Sequence, residues 1–195
     1  MIKLLKNLYI HPLFFYYISG LVVLFLLSFW FPMLYSLAWL MVWVLVTLFI
    51  VDVFLLFRFK KGFVARRKLT EKFSNSDANS IPITLENQYP FSTQVKVIDE
   101  IPVQFQKRDF EYTTAIKSNE THHFNYNLRP VERGEYYFGN LICYVSSPLH
   151  MVARRFRFDK RQMVAVYPSY IQMKKYEFLA MSKRLTEYGL KKYAG

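Results

Sequence analysis

The sequence predicts a membrane-anchored all-β sandwich, preceded by a two-helix transmembrane hairpin and followed by a short C-terminal helix. Two observations predict this architecture. An uncharged apolar run lies near the N-terminus, and hydrophobic residues alternate with polar ones along most of the remaining chain. The 195 residues allow one membrane unit and one domain of about 110 residues. We assign residues 1–57 to the hairpin, 58–170 to a basic juxtamembrane segment and the sandwich, and 171–195 to an amphipathic helix.

The apolar run from Leu13 to Val51 contains no charged residue over about 39 positions, about twice what one membrane-spanning helix needs. As one helix it would be about 58 Å long, against a hydrocarbon core of about 30 Å. We therefore expect the chain to turn at Phe31-Pro32, between a helix over Leu8–Trp30 and another over Met33–Phe57. Because the run exceeds the core of a signal peptide, we expect a retained anchor.

Basic residues flank both ends of this run, with Lys3 and Lys6 before it and a denser cluster after it. The positive-inside rule then predicts that both termini and the β-domain are cytosolic. The second cluster is either a plain topology signal or a site for anionic lipid headgroups. Nucleic-acid binding is not expected, because no known motif accompanies the cluster. Its members are Arg58, Lys60, Lys61, Arg66, Arg67 and Lys68.

Asp52 is the carboxylate closest to the apolar run, and an acid inside a membrane is a candidate functional residue. It precedes Arg58 by fewer than two helical turns. We therefore expect Asp52 to lie at the membrane interface rather than to serve as a proton relay.

Short alternating runs spaced by about ten residues indicate a β-sandwich of immunoglobulin-like type. The clearest run has Ile81, Ile83 and Leu85, and others fall at residues 95–97, 124–128, 136–145, 149–158 and 163–167. Turn signals separate them at residues 87–90, 99–102, 133–134 and 146–148. The run Val152–Phe158 carries three arginines, which suit either a solvated edge strand or a docking face for an acidic partner.

Residues with catalytic or metal-binding chemistry are scattered, so we predict no enzyme, no cofactor and no small-molecule substrate. The single cysteine, Cys143, excludes an internal disulfide and lies in an apolar stretch that predicts burial. His122 and His123 are adjacent, and in a strand they would point to opposite faces. Beyond the sandwich, apolar residues at helical spacing, from Phe178 to Tyr188, predict a helix that ends at Gly189.

Several segments together resemble a known family. They are the stretch around Ser74–Ser80, the Asp-Glu-x-Pro turn within Val97–Phe105, the Arg-Pro-x-x-Arg-Gly-x-Tyr stretch within Leu128–Gly139, and Val164–Ser169. They resemble the N-terminal part of the domain-of-unknown-function family numbered fifty-eight, bacterial membrane proteins typically found beside MoxR-type AAA+ ATPases. The resemblance implies a non-enzymatic scaffold or adaptor that partners such an ATPase, and other envelope proteins, in assembling or maturing an envelope complex. A lipid-surface or envelope-binding module that uses the basic cluster is the alternative.

The family motifs themselves favour structural or partner-binding roles rather than turnover. Asp99 and Pro102 suit a tight turn, Arg133-Gly134 suits a hairpin with a glycine at positive φ, and Arg129 is placed to brace that hairpin. Family members usually continue into a von Willebrand factor A-like domain. This chain is therefore either part of a longer protein, which we expect, or a short version that lacks that domain. The motif residues are Asp99, Glu100, Pro102, Arg129, Pro130, Arg133, Gly134, Tyr136, Gly139, Tyr167 and Pro168.

Overall fold

Two apolar helices begin the fold. The computed structural model describes residues 6–107, 110–158, 161–168 and Phe178. Helix α1 spans Pro12–Leu27, with His11 as its N-cap and proline in its first turn, where a missing N–H costs nothing. Helix α2 spans Met33–Arg58. Within the described residues, α2 is the helix that is long and apolar enough to cross a membrane, while the apolar α1 is shorter, with 16 residues.

The two helices run antiparallel. The chain reverses between Ser28 and Pro32. Close to this turn, the rings of Phe25 and Trp39 lie 6.2 Å apart, and at the opposite end those of Phe14 and Phe49 lie 5.1 Å apart. The start of α1 and the end of α2 therefore lie at the same end of the helix pair. This end contacts the strands that follow.

Short strands form the remainder of the described chain. Their bounds are β1 Leu8–Ile10, β2 Phe63–Arg67, β3 Lys72–Ser74, β4 Asn79–Asn87, β5 Thr93–Asp99, β6 Glu111–Ile116, β7 Thr121–Leu128, β8 Gly134–Phe138, β9 Leu141–Ser146, β10 Val152–Phe158 and β11 Gln162–Tyr167. A short 3-10 helix, Val103–Phe105, lies between β5 and β6.

These strands form three small sheets with the orders β1-β10-β9-β5-β6, β2-β4-β7 and β3-β11-β8. Neighbouring strands in these sheets are antiparallel, except β3 and β11, which are parallel. The five-stranded sheet packs against β2-β4-β7: the rings of Phe63 and Phe156 lie 5.9 Å apart, and those of Tyr112 and Phe124 lie 3.9 Å apart. The buried side chains of all three sheets make one hydrophobic cluster, so the predicted β-sandwich is confirmed.

The sandwich follows the predicted alternation where one face of a strand is buried. Ile81, Ile83 and Leu85 are at most 1% exposed, and Val95 and Val97 are fully buried. Successive side chains of a strand point to opposite faces, so alternation sorts the core from the solvent.

The structure corrects the expected bounds in three places. Helix α1 ends at Leu27 and not at Trp30, because the chain begins to turn at Ser28. Leu8–Ile10 is not helical but pairs with β10, because helix α1 begins at Pro12 and the preceding residues are free to extend the sheet. The apolar run 136–145 is two strands, because the chain turns at Gly139-Asn140 and the strands enter different sheets. The predicted C-terminal helix lies outside the described residues, apart from Phe178.

Candidate functional site at the helix–sandwich junction

Asp52 attaches helix α2 to the loop between β9 and β10. Its side chain is completely buried. One carboxylate oxygen accepts hydrogen bonds from the backbone N–H groups of Met151, at 3.0 Å, and Val152, at 2.9 Å, and the other accepts one from the Ser147 hydroxyl. Three donors therefore satisfy this one carboxylate. It lies inside the protein, at the end of α2 nearest the sandwich, and makes a structural contact.

The C-terminal end of α2 is held by Arg154 on β10. The Arg154 guanidinium donates to the backbone carbonyls of Leu56 and Phe59, each at 2.6 Å. The hydroxyl of the buried Tyr89 donates to the same Leu56 carbonyl at 2.8 Å. The last carbonyls of a helix have no partner within it and carry partial negative charge, so a cation at this position satisfies both needs.

Arg155 holds the segment that precedes α1. Its guanidinium donates to the Tyr9 hydroxyl at 2.8 Å and to the Lys6 carbonyl at 3.3 Å, and it lies 5.3 Å from the centre of the Tyr9 ring. Adjacent residues of a strand point to opposite faces. Arg154 therefore binds the end of α2 while Arg155 binds the start of the α1 segment.

The expectation that Val152–Phe158 is a solvated edge strand is wrong for its first half. Leu8–Ile10 pairs with Val152–Arg154, so this half of β10 lies inside the sheet. We call the contacts made by Asp52, Tyr89, Arg154 and Arg155 the helix–sandwich junction.

Gly62 leaves the space that Tyr89 occupies in this junction, which gives a first testable prediction. A Cβ atom on Gly62 would lie 2.1 Å from the Tyr89 ring, which is buried and held by its hydrogen bond to Leu56. We expect Gly62→Ala to lower the free energy of unfolding by about 1–3 kcal/mol, as overpacking does. Thermal unfolding in detergent measures the change. Gly20→Ala is the matched control, because its Cβ meets nothing within 4 Å; equal melting temperatures for the two variants would contradict this argument.

A buried ion pair joins the two layers of the sandwich. Arg67 on β2 and Asp99 on β5 form a salt bridge with side chains 1% and 0% exposed. Tyr126 donates its hydroxyl to Asp99 at 2.5 Å, and Arg67 also donates to the Gly139 carbonyl at 3.0 Å. Burial raises the pKa of Asp99, while the Arg67 charge and the Tyr126 hydrogen bond oppose that rise. Arg67 is therefore a core residue, and its assignment to the lipid-facing basic cluster is corrected.

The sequence contained a signal for this pair. Phe63 and Ala65 alternate into the core, and the same period places Arg67 on the inner face of β2. Val95 and Val97 likewise continue to Asp99 on the inner face of β5. Because a buried charge needs a partner, two inward-facing residues of opposite charge are expected to form an ion pair.

The Asp-Glu-x-Pro motif connects β5 to the turn between β8 and β9. Glu100 accepts hydrogen bonds from the Asn140 backbone at 2.7 Å and from its side-chain amide at 2.8 Å. A Cβ on Gly139 would lie 2.4 Å from the Glu100 carboxylate, so only glycine fits. Pro102 precedes the 3-10 helix as its N-cap. The motif therefore makes structural contacts to the Gly139 turn, rather than forming an isolated turn.

The Arg-Pro-x-x-Arg-Gly-x-Tyr stretch links two sheets. Gly134 has φ of +142°, as a positive-φ glycine was predicted to have, but the expected hairpin is wrong: β7 pairs with β4, and β8 pairs with β11. Tyr136 donates its hydroxyl to the Glu132 carbonyl at 2.9 Å and so closes this connection. Arg129 does not brace it, and donates instead to the carbonyl of Ser76 in another turn.

The remaining motif residues lie around that second turn or on the surface. The Ser76 N–H donates to the Pro130 carbonyl at 2.9 Å, and the Asn75 N–H donates to the Tyr167 carbonyl at 2.8 Å. Arg133 and Pro168 are exposed. The motif residues thus divide between the Asp99 network and the turn at Ser76, and they do not converge on one pocket.

Five members of the basic cluster are exposed near the end of α2 and along β2. Arg66 lies 3.5 Å from Glu86, and the Arg58 guanidinium lies 5.6 Å from the centre of the Phe54 ring. The exposed members are Arg58, Lys60, Lys61, Arg66 and Lys68.

The nucleophilic and metal-binding side chains have structural surroundings. Cys143 is fully buried, and burial raises the pKa of its thiol. His122 and His123 contact different strands, with nitrogens 3.1 Å from the Tyr112 hydroxyl and 3.0 Å from the Thr84 hydroxyl. Within the part of the chain that the structure describes, no group of three or more His, Cys, Asp or Glu side chains is arranged to hold a metal.

Fold and junction define a class of protein in which a β-sandwich is fixed to a pair of apolar helices. Among solved structures, the chain is similar to an ASH/PapD-like domain of human CEP192, with 13% identity, a TM-score of 0.41, and coverage of 55% of this chain and 87% of that domain. It is also similar to the CARDB domain of the PF1109 protein from Pyrococcus furiosus, with 15% identity, a TM-score of 0.36, and coverage of 54% and 87%. These similarities concern the fold alone. No protein-family model and no curated protein matches the sequence.

Proposed function

We propose that α1 and α2 form a transmembrane hairpin that anchors the sandwich to the cytosolic side of a bacterial inner membrane. The apolar surface of the pair supports this, as does the exposure of Phe29, Trp30 and Phe31 at the turn farthest from the sandwich. Helix α2 is about 39 Å long at 1.5 Å per residue, enough to cross a hydrocarbon core of about 30 Å. The exposed Lys60 and Lys61 at its other end suit the cytosolic side.

The cytosolic orientation is open to direct measurement. A cysteine at the exposed Asn125 on β7 reports the side of the membrane, and the buried Cys143 leaves little background. We expect an impermeant maleimide to label Asn125→Cys only after cells are permeabilised. Labelling of intact cells would place the sandwich outside the membrane.

On this anchor, the protein acts as a non-enzymatic scaffold or adaptor for a MoxR-type AAA+ ATPase in the assembly or maturation of an envelope complex. The observation that carries the proposal is the helix–sandwich junction, because it fixes the orientation of the sandwich relative to the helices. The contacts of three carboxylates support a structural role. Asp52 and Asp99 are buried in hydrogen bonds, and Glu100 accepts hydrogen bonds from Asn140.

The partner is tested by affinity capture of the tagged full-length protein in mild detergent. We expect a MoxR-type ATPase to be recovered, to a different extent with and without ATP, because these ATPases change conformation with bound nucleotide. If no such ATPase is recovered, either with or without ATP, the proposal is refuted. When variants of the junction are compared in this capture experiment, the exposed Asn125→Cys variant serves as the control, because it alters no contact of the junction.

A lipid-surface module is the alternative, and the five exposed basic residues favour it. Each basic side chain close to an anionic bilayer contributes about 1 kcal/mol of attraction. This alternative predicts that the loss of any exposed cation of the cluster, such as Arg66 or Lys68, weakens the binding of anionic lipid to a similar extent.

A further inference from the structure

A groove lies between the start of helix α1 and the outer face of the five-stranded sheet. Its volume is 460 Å³, within the range of small-molecule sites. Ile10 and Pro12 line one side, and side chains from β5, β6 and β9 line the other. Because α1 begins at Pro12, the groove lies where the chain passes from the sandwich into its apolar helix.

The sheet side of the groove is polar, and part of it lacks hydrogen-bond partners in the part of the protein that the structure describes. Gln94, Thr113 and Tyr144 present an amide and two hydroxyls, and these side chains make no hydrogen bond with the described residues. Polar groups that converge on a groove without protein partners are available to a ligand, and this set both donates and accepts hydrogen bonds.

The charge of the groove suits an anion. Lys96 lines it, and its ammonium group lies 2.7 Å from Glu111 in an ion pair whose side chains are 45% and 49% exposed. Such an exposed pair contributes little, so an incoming phosphate can compete for Lys96. The Arg155 guanidinium lies 5.3 Å from the centre of the Tyr9 ring, which also lines the groove, and adds a second positive charge close to it.

The opposite side of the groove is apolar and continues onto the helix. Tyr9 and Ile10 are 38% and 46% exposed, and Leu13 on the first turn of α1 is 40% exposed. A ligand that fits both sides has an anionic, hydroxyl-bearing head and an apolar tail. A phospholipid has this chemistry.

We propose that this groove binds the headgroup of an anionic phospholipid with a hydroxylated head, represented by phosphatidylglycerol. The phosphate lies at Lys96, the headgroup hydroxyls meet Gln94, Thr113 and Tyr144, and the acyl chains follow the apolar surface of α1. This inference rests on the proposed membrane anchorage, and it names one lipid class for a site separate from the basic cluster on β2.

Native mass spectrometry of the purified full chain in detergent tests the site. Phosphatidylglycerol and phosphatidylcholine with the same acyl chains are titrated. We expect the wild type to bind phosphatidylglycerol more tightly than phosphatidylcholine. In the double variant Lys96→Gln/Tyr144→Phe, the ratio of the two affinities is expected to fall by about tenfold or more, because the variant removes one charge and one hydroxyl. The control variant Lys117→Gln removes one charge at an exposed position outside both the groove and the basic cluster, and is expected to keep the preference.

Each other outcome overturns the site. An equal loss in Lys117→Gln assigns binding to general surface charge, and equal affinity for the two lipids shows no headgroup selection. Binding of glycerol phosphate as tight as that of the lipid assigns the groove to a soluble phosphate. Extraction of the protein from membranes by alkaline carbonate would refute the membrane anchorage itself, so the two failures are distinguishable. Protection of Cys143 from maleimide verifies that each variant is folded.

Discussion

Replacing Asp52 by alanine is expected to release the loop between β9 and β10 from helix α2. The change leaves the buried Met151 and Val152 N–H groups and the Ser147 hydroxyl without an acceptor. Each unsatisfied buried donor costs about 1–3 kcal/mol, so the loss is about 3 kcal/mol or more. Amide hydrogen exchange at Met151 and Val152 measures it directly. We expect protection at these two amides to fall by about two orders of magnitude, since 1.4 kcal/mol is a factor of ten.

Asp52→Asn is the matched control for this prediction. The asparagine oxygen still accepts from the Met151 and Val152 N–H groups, and its amide donates to the Ser147 hydroxyl. The hydrogen bonds lose charge assistance but keep their partners, so we expect protection to fall by less than tenfold. Equal exchange in the alanine variant and the wild type would show that the carboxylate does not hold the loop.

This junction also has a consequence for the proposed scaffold. If the fixed orientation of the sandwich carries the function, capture of the ATPase should fall in Asp52→Ala and persist in Asp52→Asn. Arg154 and Tyr89 still hold the Leu56 carbonyl in both variants, so the end of α2 remains attached at a second point. Loss of capture would then reflect altered orientation rather than detachment of the domain.

The alternation of apolar and polar residues predicts the strands of this fold, because a strand with one buried face has an apolar residue at every second position. Ile81, Ile83 and Leu85 fill the core as expected, and strands end at the predicted turns at Asn87, Asp99 and Ser146. These inferences need only neighbouring residues, since the turn residues lie immediately beside the runs that they end.

The junction was outside the reach of local pattern. Asp52 and Val152 are 100 positions apart, and neither neighbourhood indicates the other. Leu8–Ile10 has the apolar composition of a helix start, and its strand conformation depends on the free edge of β10. Arg67 stands in a run of basic residues that are otherwise exposed, and only its place in the alternation of β2 distinguishes it.

Replacing Arg67 by methionine is expected to open the core. The variant leaves the fully buried Asp99 carboxylate without its cation, and breaking a buried pair from one side costs roughly 3–5 kcal/mol. Cys143 is a built-in reporter, since its thiol is buried beside Val97 on the neighbouring strand. We expect its rate of modification by maleimide to rise by roughly two to three and a half orders of magnitude relative to the wild type.

The double variant Arg67→Met/Asp99→Asn separates the lost charge from the lost volume. It removes both charges, and the asparagine oxygen still accepts the Tyr126 hydroxyl, which donates to Asp99 in the wild type. Removing both partners of a buried pair costs far less than removing one. We therefore expect Cys143 in the double variant to react much more slowly than in Arg67→Met. Equal rates would show that packing, rather than the unpaired charge, sets the loss.

The same variant has a defined dependence on pH. Burial raises the pKa of Asp99 above its ordinary value of 3.8, and Arg67 opposes this rise, so its removal raises the pKa further. The folded variant then binds a proton that the unfolded chain lacks, and its stability falls as the pH rises from 3.8 through the folded pKa. We expect the ratio of Cys143 modification rates, variant to wild type, to be smaller at pH 5 than at pH 8. A ratio that is the same at both pH values would mean that Asp99 does not become a buried, unpaired carboxylate.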